Sequence, residues 1–183
     1  NVGFNYNIDN HFSLNGKVGL DHFNSIATSR QAHGSNSAPF GSYTEAVRSR
    51  SEVNMDLFVN YTTEISDNFS FDISVGGNQT KFYNQINNVT APQLQLNGLY
   101  DLNNLRAGSN YNVTDYTSES RINSLIAFGK IGFMNMIFLE FSGRNDWASV
   151  LPKENNSFFY PSITGSAVVS ELFGASPNDW FLK

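Results

Sequence analysis

Hydrophobic and polar residues alternate along much of the chain with a period of two. Val2, Phe4, Tyr6 and Ile8 fall on one side, and Gly3, Asn5 and Asn7 on the other. After Asp9-Asn10-His11 the rhythm resumes, with Phe12, Leu14, Val18 and Leu20 opposite Ser13, Asn15, Lys17 and Asp21. A strand points successive side chains to opposite faces, so the pattern predicts strands with one apolar and one polar face. Strands are expected over about residues 2–8, 12–24 and 52–65. The third sets Val53, Met55, Leu57, Val59 and Tyr61 against Asn54, Asp56, Asn60 and Thr62. A fourth starts at Phe69, with Phe71, Ile73 and Val75 against Ser70, Asp72 and Ser74. A fifth is expected over about 117–133, a sixth from Ile137 and a seventh over about 158–170.

The connections alternate in kind. Ser66-Asp67-Asn68 and Met134-Asn135 read as tight turns. Residues 25–50, 83–116 and 148–157 read as longer polar loops, with a short helix expected around 97–107. Phe173-Gly174-Ala175-Ser176-Pro177 is expected to close the seventh strand into another. Short turns at one end and long loops at the other are the signature of a transmembrane β-barrel. The charges agree: Lys17, Asp21, Asp56, Asp72, Glu140, Arg144 and Asp146 all fall on polar faces within strands, where a watery lumen tolerates them. One stretch blurs the rhythm. Leu125, Ile126, Ala127 and Phe128 are consecutive and apolar, as a bulge or an apolar contact on the inner face would produce.

Composition narrows the classes. The 183 residues suit one domain and include no cysteine, which removes disulfides and thiolate metal sites. Net charge is −5 and the pI is near 5.0, so a nucleic-acid partner is not expected. Mean hydropathy is −0.32, and no run approaches the roughly 18 apolar residues of a membrane helix. Barrel strands show lipid only alternate side chains, so their mean hydropathy stays low. Aromatics make up 14%, with 16 phenylalanines, enough for interfacial girdles or for a soluble core. Both ends run directly in strand pattern without a leader, so an internal section of a longer chain is expected. A soluble or cell-surface all-β binding module, lectin-like and without transport, remains the alternative.

The run Gly143-Arg144-Asn145-Asp146-Trp147-Ala148-Ser149-Val150-Leu151-Pro152 is followed by Asn155-Asn156-Ser157-Phe158-Phe159-Tyr160-Pro161-Ser162. With Ser166-Ala167-Val168-Val169-Ser170-Glu171-Leu172-Phe173 behind it, this stretch resembles the barrel of the SusC/RagA group of TonB-dependent outer-membrane transporters. The resemblance implies that residues 1–183 are an internal segment of a large antiparallel transmembrane β-barrel. That segment would supply about seven to eight of roughly 22 strands, with the plug and the TonB-contacting segment elsewhere. It implies active import of oligosaccharides or peptides across the outer membrane of a Gram-negative bacterium of Bacteroides type. It also implies membrane lipid around the wall, a SusD-like surface lipoprotein over the loops, and a TonB complex engaged through other regions.

No residue constellation points to bond-making chemistry, a metal or another cofactor. His11, His22 and His33 are spaced by eleven residues, which no metal motif uses. Ser, His and Asp occur without a nucleophile elbow. Arg144 and Asp146, two apart on one strand face, read as a structural ion pair, and Glu140 stands about 13 Å from Arg144 along the strand. Asp56, Asp72, Glu140, Arg144 and Asp146 are the expected lumen-facing polar set. Phe40, Tyr43, Tyr83, Tyr100 and Tyr111 sit among Asn, Gln and Ser in the expected loops. Flat rings beside amides suit a sugar, a peptide or a lid protein, and also suit loops packed on one another.

Overall fold

The computed structural model describes residues 1–169. The expected closing turn at 173–177, the last four residues of the family-like run and the end of the seventh expected strand lie outside them. Seven strands form one antiparallel sheet in chain order: β1 (Val2–Asn7), β2 (Phe12–Ser35), β3 (Ala38–Ser66), β4 (Phe69–Ala91), β5 (Asn112–Phe133), β6 (Ile137–Ala148) and β7 (Ser157–Ala167). All seven expected strands exist. Among the described residues no helix is long and apolar enough to cross a membrane, which says nothing about crossing by strands.

Register fixes the faces. Phe133 pairs with Ile137, Ile131 with Leu139 and Gly129 with Phe141, while Leu139 pairs with Gly165 and Phe141 with Ile163. These residues share the apolar face. One step along, Phe128–Ser142 and Lys130–Glu140 pair across β5 and β6, and Glu140–Thr164 and Ser142–Ser162 across β6 and β7, on the polar face. The blurred stretch 125–128 is therefore regular strand. Leu125 and Ala127 belong to the apolar face, whereas Ile126 and Phe128 are apolar residues on the polar face. Phe128 stacks toward Phe58 of β3, ring centroids 6.1 Å apart. Gly76 lets Phe58 lie flat there, because a Cβ at that position would collide with its ring and with the Leu57 carbonyl.

The apolar face is a band with aromatic margins. Near the short turns Phe12 packs on Tyr61 and Phe69 on Phe133, each at 4.7 Å between centroids. On β6 the face runs Ile137, Leu139, Phe141, Gly143, Asn145 and Trp147. That is about 33 Å along the strand, or about 25 Å along a bilayer normal at the tilt usual for membrane barrels, which matches the lipid-facing band of such walls. Its side chains stand open: Leu57 is 52% exposed and Ile163 73%. Gly129 carries the Phe141 ring directly over its Cα, where any Cβ would clash.

The chain divides into two compact units. The first holds Asn1–Gly19, Val53–Thr80 and the described residues from Arg121 onward; the second holds Leu20–Glu52 and Lys81–Ser120. The second unit corrects the expected loops. Residues 25–50 are not a loop: β2 and β3 pair through them and turn at Asn36-Ser37. Likewise β4 continues to Ala91 and β5 begins at Asn112, so the irregular part shrinks to residues 92–111. Beyond Leu20 and before Glu52 the sequence is polar on both faces, so alternation vanishes while backbone pairing continues. At 29 residues β3 is roughly 95 Å long, far beyond the nine to eleven residues a bilayer crossing needs. The helix expected around 97–107 is only a three-residue turn, Leu102–Asn104, capped by the Asp101 carboxylate on Asn103 N–H at 2.7 Å. Gly98 and Gly108 hold φ of 80° and 84°, which breaks any longer helix.

The turns are specified locally. Met134 and Asn135 take φ of 54° and 55°, the pair of left-handed residues that a tight hairpin demands. At residues 8–11, Asp9 Oδ1 accepts the N–H groups of Phe12 and His11, each at 2.7 Å. These two bonds hold the Asp9 carboxyl below its ordinary value.

Candidate functional site

On the polar face of the first unit, amides, hydroxyls and charges form connected rows across the strands. Asn60 donates to Ser13 Oγ at 3.2 Å and accepts from Ser74 Oγ at 2.7 Å, joining β2, β3 and β4. Asn78 donates to Asp56 Oδ1 at 2.6 Å, and Thr80 donates to Asn54 at 2.7 Å. Each bond links neighbouring strands, and the bonded positions are even numbers of residues apart on each strand, so the period of two places them on one face. Arg144 pairs with Asp146 at 2.6 Å and donates to Ser124 Oγ at 3.0 Å. Both partners reach water, so the pair contributes at most about 1 kcal/mol. Asp72 and Glu140 line an open groove of about 450 Å³ with Lys130, Ser142, Ser162 and Thr164. The Lys130 ammonium lies 4.4 Å from the Phe138 ring centre.

Of the five expected polar-face residues, Arg144 and Asp146 touch, Asp72 and Glu140 share the groove, and Asp56 is engaged with Asn78. Sequence reading missed Lys130 and Ser124, because the apolar run at 125–128 hid the parity of β5. Counting back from the Met134-Asn135 turn by twos would have found them.

In the second unit a small apolar core forms from Tyr43, Ala91 and Leu94, with Tyr100, Leu102 and Leu105 against it. Leu94 bridges Leu105 as an isolated β-pair, which folds residues 92–111 back on themselves. Asn104, 6% exposed, fastens the fold: it accepts the Leu96 N–H at 2.9 Å and donates to the Leu96 and Leu99 carbonyls at 2.9 and 2.6 Å. The expected loop aromatics separate by role. Tyr43 is 8% exposed and belongs to the core. Tyr111 stays partly open and donates to the Leu102 carbonyl at 2.9 Å. Phe40 lies under the Arg106 guanidinium, 3.6 Å from its centre, and Tyr100 lies 5.7 Å from Arg30. Tyr83 sits on β4, 40% exposed. Arg30 and Arg106 were not legible in sequence, since nothing local couples an arginine to a ring sixty or more residues away.

His11 donates from Nδ1 to the Thr62 carbonyl at 3.0 Å, and His22 bonds Ser51 at 2.8 Å. Among the described residues no group of three or more potential ligands is placed to hold a metal ion.

No protein-family model matches the chain, and no curated protein matches it in sequence. Solved structures do match in fold. A chain in the structure of the RagAB peptide transporter superposes with a TM-score of 0.78 and 18% identity over 92% of this chain. The RagAB peptide importer gives 0.78 and 18% in its closed-closed state, and 0.77 and 17% in its open-open state, again over 92%. The expectation drawn from residues 143–173 thus holds at the level of fold: the sheet has the fold of a section of those RagAB transporter chains. This chain spans 19% of the length of those solved chains.

Proposed function

We propose that this chain is part of the wall and mouth of an outer-membrane importer for oligosaccharides or peptides. The observation that carries the reading is the fold match to RagAB over 92% of the chain. The apolar band of about bilayer height supports it. In this reading the apolar face meets lipid, and the polar face, with Asp56, Asp72, Glu140, Arg144 and Asp146, lines a wet lumen. The second unit then stands in the extracellular space, where Phe40, Tyr83, Tyr100 and Tyr111 meet substrate or a SusD-like lipoprotein. Tyr43 holds the base of that surface. The short turns at 67–68 and 134–136 are periplasmic, and the plug and the TonB contact belong to other regions of the protein. No bond is made or broken in this wall; its groups position and release cargo.

The reading is tested by uptake in cells that carry the full-length protein. A labelled oligopeptide or oligosaccharide too large for porins should accumulate against its gradient, and a protonophore should stop it. Accumulation indifferent to the protonophore, or cleavage of the label by the purified protein, would contradict the proposal.

A further inference from the structure

The second unit carries a groove that the wall-and-mouth reading does not use. It runs across β2, β3, β4 and β5 and is lined by Phe23, Arg48, Arg50, Asn84, Ile86 and Tyr116, with serines and the Gln85 position completing it. No acidic side chain lines it. Arg48 and Arg50 lie two apart on one strand, so their Cα atoms are about 7 Å apart and both side chains leave the same face. Parity places them with Thr44, which bonds Thr90 of β4 at 2.9 Å on that face. Arg50 leans over Phe82 of β4, 5.8 Å from the ring centre. Glu52 follows on the same face but lies outside the groove.

Two guanidinium groups at this spacing repel each other, and the chain as a whole is acidic, with a net charge of −5. An anion between them relieves the repulsion and takes charge-assisted hydrogen bonds from both. A planar carboxylate fits best, since each of its oxygens can face one guanidinium fork. Phe23 and Tyr116 supply flat apolar faces to the group carrying the carboxylate, and Asn84, on the same face of β4 as Phe82, supplies an amide for a neighbouring polar atom. We infer that this groove is a subsite for a carboxylate on the imported oligomer, held between Arg48 and Arg50. The carboxylate would come from an acidic peptide or from an acidic sugar. The inference rests on the importer reading, and its test is a binding measurement that does not depend on transport.

Full-length protein in detergent is titrated with two matched pairs of probes. One pair is a hexapeptide with two glutamates and its glutamine counterpart, both amidated at the C-terminus. The other is oligogalacturonate and its methyl ester. In at least one pair the acidic member should bind about ten- to a hundredfold more tightly at low salt, and which pair does so identifies the source. The advantage should shrink in high salt. The double variant Arg48→Gln, Arg50→Gln should erase the preference and leave the neutral probe's affinity within twofold. Arg48→Lys, Arg50→Lys should retain part of it, which separates lost charge from lost fold. Equal binding within both pairs, or a preference that survives the double glutamine variant, would overturn the subsite. Either result leaves proton-driven uptake standing or falling on its own assay.

Discussion

Ile163→Arg should prevent assembly of the barrel, while Thr164→Arg should leave it intact. The two residues are adjacent on β7 and differ only in face. Ile163 pairs with Phe141 in the middle of the apolar band, and Thr164 pairs with Glu140 on the polar face. An arginine at the bilayer midplane of a barrel costs roughly 2–4 kcal/mol, a large part of a marginal stability. At position 164 the same side chain enters water opposite a carboxylate, a favourable cross-strand pair. The readout is the folded fraction recovered from outer membranes, judged by heat-modifiable migration on a gel. Loss of folding in both variants, or in neither, would show that the faces are wrongly assigned.

Asn104→Leu should release residues 92–111 without disturbing the first unit. Three hydrogen bonds of a buried side chain vanish together, and two carbonyls and one N–H lose their partner. At about 0.5–1.5 kcal/mol each, the loss is roughly 1.5–4.5 kcal/mol, enough to open a segment whose core is only a few side chains. Hydrogen exchange at Leu96 and limited proteolysis between 95 and 108 should both accelerate strongly, and strand pairing around β5 and β6 should stay protected. Asn104→Asp turns the carboxylate toward the Leu96 and Leu99 carbonyls, acceptor against acceptor, so it too should open the segment. Unchanged protection at Leu96 in the leucine variant would refute the keystone role.

The strands were legible wherever one face meets an apolar surrounding, because that demand writes a period of two. Phe69 to Val75 and Ile137 to Phe141 show it plainly. In the second unit neither face carries a sustained apolar demand, so residues such as Ser25, Thr28, Ser29, Ser42 and Thr44 pair as strand while reading as loop. Backbone hydrogen bonds and scattered side-chain bonds such as Thr44–Thr90 hold that register, and they leave little periodic trace in residue type. Ile126 and Phe128 blurred the pattern for the opposite reason: they are apolar residues on a polar face, where Phe128 meets Phe58 of β3. Of the candidate site, Asp56, Asp72, Glu140, Arg144 and Asp146 followed from parity, whereas Lys130 was hidden by the apolar run before it. The cation–ring contacts of Arg30 and Arg106 and the arginine groove depend on which strands become neighbours, which the sequence does not spell out locally.

The central claim is that this sheet is a membrane wall with its odd-numbered face on β3 to β7 in lipid. The chain has no cysteine, so a label can be placed at one position of it at a time. Leu57→Cys, Ile73→Cys and Leu139→Cys, each carrying a fluorophore, should be quenched by nitroxide lipids and ignored by a water-soluble thiol reagent. Asp56→Cys, Asp72→Cys and Glu140→Cys should show the reverse. On intact cells Asn36→Cys should react with an impermeant reagent and Asn68→Cys should not. Lipid quenching that fails to alternate with residue parity, or reagent access to all six strand positions alike, would contradict the account.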